Sequence, residues 1–190
     1  MCPYNWSCLF STTSQWIKNI SCALLIALSP LTSGSAALFR STQSAWAVLK
    51  APQIWRLVAV LFVGFVGREM TMDCQDVDAD VAVGVRTVPA VYGRAFTAKV
   101  ALLCNALVAI LSIGFPLQEL VSCGIWPCQS WNVVVQNKCF RRLVLACIGS
   151  LSILRRGWQV FQSKGEDRSV NEKSIDEGLI SVMFLLGSFV

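Results

Sequence analysis

The sequence predicts an all-α fold, a multi-pass transmembrane helix bundle, and three observations lead to it. The chain is 55% hydrophobic and 14% charged, with a mean hydropathy of +0.59, well above an ordinary soluble domain. Its apolar residues collect in runs at 20–28, 54–67, 100–115, 143–154 and 179–190. Lys and Arg flank those runs, as expected of residues at a membrane surface. The 190 residues suffice for one domain, and five or six crossing or partly inserted helices are expected.

In chain order, residues 1–19 are polar, Ser-rich and aromatic, and carry no acidic group. Such a start has some of the character of an organelle import segment. The run 20–28 stops at Ser29-Pro30. Lys18, this apolar core and the small residues of 32–37 can also be taken for a secretory signal peptide, although the basic residue comes late and its flank is long. Pro52 breaks any long helix over 45–56. The run 54–67, with Arg56 and Arg68 near its ends, is short for a crossing of about twenty residues. Snorkelling basic side chains lengthen it, and the acidic stretch that follows continues the same helix past the bilayer surface. Carboxylates then sit at the mouth of a bundle, open to a phosphate approaching from water.

Gly84, Pro89 and Gly93 read as a loop that reverses the chain. The run 100–115 is a second strong helix, expected to end at Pro116. Residues 117–135 are mixed, with Trp126, Pro127 and Trp131 suited to an interfacial belt. The run 143–154 is bracketed by Arg141-Arg142 and Arg155-Arg156, and is short for a span unless those flanks are used. Residues 163–177 form a hydrophilic block of mixed charge, read as a solvated loop. A last apolar helix closes the chain.

Several function classes fall away on composition. Histidine is absent, so no Ser-His or Cys-His pair, imidazole base or His-ligated metal can be built. The net charge of +5 is spread along the chain with no dense basic stripe, which argues against nucleic acid as a partner. Nine Cys, an odd number scattered through apolar segments, do not make a disulfide framework. Cys123 and Cys128 lie close enough for a loop disulfide, with buried or loop thiols as the plainer reading. There is no internal repeat, no Gly-rich phosphate loop, and no pair of broken helices such as a transporter would show.

The chemistry concentrates in residues 68–93, which hold Glu69, Asp73, Asp76, Asp78 and Asp80. On a helix, at about 100° per residue, Asp73, Asp76 and Asp80 fall within roughly 60° of one another. Glu69 joins them one turn earlier, and Asp78 points to the other side. A line of carboxylates repels itself and calls for cations. Oxygen ligands suit a hard ion such as Mg²⁺, which bridges a few carboxylates to a substrate's phosphates. A solvated charged loop is the competing reading. An EF-hand is not, because its sixth and twelfth positions hold Val81 and Thr87 instead of Gly and Glu. Arg86 and Arg94 flank the reversing loop, placed to pair with phosphate or with the neighbouring Asp residues.

The order R-E, D-x-x-D-x-x-x-D, G-x-R-T-x-P and Y-G, from Arg68 to Gly93, resembles the second aspartate-rich motif of the UbiA superfamily of membrane prenyltransferases. Ala79 stands where many relatives have Gly. The segment from Trp16 to Asn19 and the A-L-S-P-L-T-S-G of 27–34 resemble the stretch after the family's first aspartate motif. The W-Q-V-F of 158–161, with a charged loop and apolar helix after it, is similar to the family's C-terminal end. The resemblance implies that Asp73, Asp76 and Asp80 hold Mg²⁺, and that Arg86, Lys18 and Arg68 bind the diphosphate of a prenyl donor. It implies Mg²⁺-dependent transfer of an isoprenyl group to an acceptor, expected to be aromatic, in an organelle or other membrane with lipid around it. Such a reaction needs carboxylates, cations and a dry apolar tunnel, and no histidine.

One departure limits that expectation. The family's first motif, N-x-x-x-D-x-x-x-D, has no counterpart, since no Asp precedes Asp73 and the only earlier acid is Glu69. Residues 1–190 are therefore expected to form one UbiA-like domain truncated at its N-terminus. The alternative is a non-catalytic membrane homologue serving as a structural or partner subunit.

Overall fold

The computed structural model describes residues 6–31, 50–122 and 138–187, with side chains from Trp16 onward. Among the described residues every regular element is a helix. There are six: α1 (Trp6–Ala27), α2 (Pro52–Ala82), α3 (Val88–Tyr92), α4 (Arg94–Ser122), α5 (Lys138–Gln162) and α6 (Arg168–Gly187). Cys123 and Cys128, the tryptophans at 126 and 131 and the small residues at 32–37 lie outside the described residues.

Pro52 starts α2 where it was expected to break a helix. At the first helical position its missing N–H has no partner to lose and its φ is already helical. From there α2 runs 31 residues without interruption, about 46 Å at 1.5 Å per residue, so the apolar run and the acidic stretch share one helix, as expected. It ends where the Val83 and Gly84 amides donate to the Ala79 and Val81 carbonyls. Gly84, with φ +77°, then turns the chain away. The reversing loop is not wholly irregular, since it contains the single turn α3. Gly93, φ +88°, redirects the chain into α4.

Two expected boundaries move. α4 passes straight through Pro116, which is buried inside it. An interior proline removes the bond to the carbonyl four residues back, at a cost of about 3 kcal/mol or more in an isolated helix. Here Val108, Ser112 and Leu120 bury the same stretch against neighbouring helices, and that packing holds the helix together. The hydrophilic block 163–177 is a turn for only its first part, and α6 begins at Arg168. The Asp167 carboxylate caps it, accepting from the amides of Ser169 (2.9 Å) and Val170 (3.3 Å). Beyond the cap the block is amphipathic: Asn171 is buried, while Glu172, Lys173 and Asp176 face outward.

α4 packs between α2 and α5, α6 lies against α5 and α2, and α1 lies along α2. The main core draws Val60, Val108, Ile153 and Leu185 from the four long helices α2, α4, α5 and α6. A second cluster, Met70, Val88 and Ala101 with Trp16 against it, seats α1 and α3. Glycines allow the closest approaches. A Cβ at Gly149 would stand 3.0 Å from the Ser181 carbonyl oxygen on α6, and one at Gly157 would stand 2.4 Å from Asn105 Nδ2 on α4.

Among the described residues one helix, α4, is long and apolar enough to cross a membrane, with a best 18-residue hydropathy of 2.3. Its outward residues Leu103, Leu107 and Ile110 are at least half exposed, as are Leu25 on α1 and Leu151 on α5. Apolar surface therefore extends around the outside of the bundle, an arrangement that marks contact with lipid or with another apolar surface.

Candidate functional site

The C-terminal half of α2 turns Glu69, Asp73, Asp76 and Asp80 to one side, as the helical spacing requires. α1 lies against that side, and the contact decides what each carboxylate does. Asp73 is 3% exposed. Asn19 Nδ2 donates to its Oδ2 at 2.7 Å, and Lys18 Nζ pairs with its Oδ1 at 3.2 Å. Both oxygens are thus occupied, which is what allows a carboxylate to be buried here. Asn19 is itself fully buried, with its Oδ1 lacking a hydrogen-bond partner among the described residues.

Lys18 reaches outward from this pair and is more than half exposed. Burial acts to lower its pKa, but the charge of Asp73 and the hydrogen bond to it outweigh that, so the ammonium is held above its ordinary value. Asp80 and Glu69 act in the same direction. Asp76 is exposed and Asp80 half-exposed, and no ion pair to either is present among the described residues.

The arginines divide between structure and solvent. Arg68 pairs with its neighbour Glu69 at 3.2 Å. Arg94 pairs with Asp78 at 2.6 Å, tying the start of α4 to the end of α2. Arg86 sits exposed in the turn after α2, with no ion pair to a described residue, and Thr87 beside it is buried with its hydroxyl unpartnered. Of the two arginines flanking the loop, Arg86 is therefore the one whose guanidinium stands available. Cys74 is a buried bystander. Burial first, and the Asp73 charge second, push its thiol up to about 12, so it is no nucleophile at neutral pH.

The residues singled out in the sequence thus come together in part. Lys18, Asp73 and Asn19 make one contact, Asp76 and Asp80 line the open side above it, and Arg86 lies on the adjoining turn. Among the described residues no group of three or more Asp, Glu or Cys side chains is placed to hold a metal ion. Asn19 was missed as a partner of Asp73. Its one signal was a polar amide beside Lys18, at the edge of an apolar run.

A cavity of about 90 Å³ lies among α2, α4, α5 and α6, and none of Glu69, Asp73, Asp76 and Asp80 lines it. Its walls are apolar, with Val60, Phe65, Val108 and Leu185 among them, and Arg68 and Arg156 stand at its polar edge. Arg156 pairs there with Glu177 and bonds Gln159 at 2.9 Å. At this size it is well below the roughly 300–1,000 Å³ of ligand pockets. Sequence reasoning also missed Arg156 at this edge, having read the 155–156 pair only as a membrane-surface flank.

No family model matches the chain, and no solved structure matches it. A 77-residue stretch, 40% of the chain, is 34% identical to the digeranylgeranylglyceryl phosphate synthase of Methanopyrus kandleri. The match spans 27% of that synthase, about a quarter of its length. The likeness is to a prenyltransferase of the UbiA type and holds at the level of a partial relationship.

Proposed function

We propose that the chain carries part of a membrane prenyltransferase of the UbiA type, which moves an isoprenyl group from a prenyl diphosphate to an acceptor. The observation that carries this reading is the one-sided row of Asp73, Asp76 and Asp80 with exposed Arg86 and Lys18, on a helix whose Met70 belongs to an apolar core. The partial likeness to a prenyl-transferring synthase supports it independently.

The residues fit a Mg²⁺ ion in part. Such an ion keeps several waters and takes one or two protein carboxylates along with substrate phosphates. Asp76 and Asp80, open and unpaired, fit that role. Asp73 fits it only if Lys18 and Asn19 release it. When bound, the ion would act as a Lewis acid on the leaving diphosphate. The chain's own contribution is positional. Arg86 and Lys18 offer donors to phosphate oxygens, where negative charge grows as the carbon–oxygen bond to the isoprenyl group breaks. The apolar helices keep water from the allylic carbon until the acceptor bonds to it and gives up a proton.

The name of the M. kandleri synthase speaks of a glyceryl phosphate, so an acceptor of that class stands beside the aromatic ring implied by the motif. Transfer of labelled prenyl groups, measured in membranes containing the protein, tests the proposal. Asp76→Asn should lower the rate by about a hundredfold or more, the scale of losing one charge-stabilising group. Unchanged transfer would reject the assignment of Asp76.

A second reading, a non-catalytic homologue acting as a structural or partner subunit, has its own support. Asp73 is already paired with Lys18 and hydrogen-bonded by Asn19, so neither oxygen is open to a metal ion. Binding of a prenyl diphosphate to the intact chain separates the two: Mg²⁺-dependent binding favours the enzyme, and none at millimolar ligand favours the subunit.

A further inference from the structure

We propose that the end of the bundle opposite the acidic face is a docking surface for the phosphate headgroups of anionic phospholipids. The inference rests on the reading that the chain lies in a membrane. At this end α2 begins, α4 finishes and α5 begins. Glu119 ties the three together, with Arg56 on one oxygen and Arg142 on the other, each at 3.4 Å. The same helix starts bring Lys50, Lys138 and Arg141 here, all exposed. Among the described residues a single carboxylate, that of Glu119, stands against these basic groups.

The sequence adds nothing to offset them. Segments 32–49 and 123–137, which join these helices, contain Arg40 and no acidic residue. The opposite end is balanced by comparison: Lys18 pairs with Asp73, Arg68 with Glu69, Arg94 with Asp78, and Arg156 with Glu177. Among the described residues, Lys50, Arg56, Lys138, Arg141 and Arg142 against Glu119 leave this end an excess of four positive charges.

Apolar surface next to the charge identifies the partner. Leu117, Val121 and Val144 are exposed on the last turns of α4 and the first turns of α5, at the same end of the bundle as Arg141 and Arg142. A collar of exposed aliphatic side chains meeting a ring of cations matches a lipid, acyl chain against one and phosphate against the other. A soluble acidic partner would have no use for the collar.

The test uses the full chain reconstituted in vesicles, with its tryptophan fluorescence quenched by brominated phosphatidylglycerol or brominated phosphatidylcholine. The full chain used keeps Trp55, on the first turn of α2, and carries Phe at the other six tryptophan positions, so the signal reports from this end. Phosphatidylglycerol is expected to bind several-fold more tightly, and the preference should shrink as salt is raised. Lys138→Gln with Arg141→Gln should remove most of that preference, each charge near the surface being worth about 1 kcal/mol. Lys138→Arg with Arg141→Lys should keep it, and so should Lys164→Gln with Lys173→Gln at the other end. Equal quenching by both lipids overturns the proposal. So does a loss of preference in the charge-preserving pair, or an equal loss in the opposite-end pair. Quenching by neither lipid overturns the membrane reading, and this proposal with it.

Discussion

Three aspartates that look alike in the sequence have different surroundings in the structure. The spacing of Asp73, Asp76 and Asp80 correctly put them on one face of a helix, because the helical period is a local property of the backbone. What it could not reveal was which carboxylate α1 would cover. That depends on a contact between Lys18 or Asn19 and Asp73, more than fifty positions apart. Unequal effects on stability are therefore expected at Asp73 and Asp76. Asp73→Asn removes the charge from a buried hydrogen-bonded contact and should cost about 1.5–3 kcal/mol. Asp76→Asn, at an exposed site with no ion pair, should change stability by less than about 0.5 kcal/mol. Denaturant unfolding in detergent measures both. If Asp73→Asn proves as neutral as Asp76→Asn, the contact with α1 is not what holds that carboxylate.

At the scale of elements, the apolar runs of the sequence, where they are described, reappear within helices, since each run must bury a face and the bundle supplies one. The misplaced boundaries have a common cause. Pro116 and the 163–177 block read as breaks on local chemistry alone, but both stretches are held helical by what packs on them. The small residues at helix crossings were equally illegible, because their meaning lies in the partner helix. They give graded expectations. Gly149→Ala sets a methyl group against the Ser181 carbonyl and the Leu185 side chain, so α6 must shift, at about 1–3 kcal/mol. Gly157→Ala meets mainly the Asn105 side chain, which can rotate away, and should cost less. Gly178→Ala meets nothing and should be neutral or stabilising by up to about 1 kcal/mol. Thermal unfolding of the three variants checks the order.

For the whole molecule, composition indicated an apolar, all-helical chain, and the described residues are all helical with one helix fit to cross a membrane. The number of crossings was not legible, because charged residues lie within α2, α5 and α6 and their depth depends on how the bundle sits. A single substitution addresses the setting of α4. Leu107 is half exposed near the middle of that helix. In water, Leu107→Arg would be a surface change of little consequence. In a bilayer it should cost about 2.5–3.5 kcal/mol and reduce insertion measurably in a membrane-integration assay. Full insertion of the variant would count against α4 as a span.

The Lys18–Asp73–Asn19 contact also makes α1 a competitor. Any cation that takes hold of Asp73 does so against an ammonium and an amide already bonded there, and its apparent affinity falls by whatever that contact contributes to seating α1. The dependence is reciprocal, so occupancy of the carboxylate and attachment of α1 draw on one free energy. A ligand that engages Asp73 loosens a helix, whereas one that stops at Asp76 and Asp80 leaves the bundle as it is.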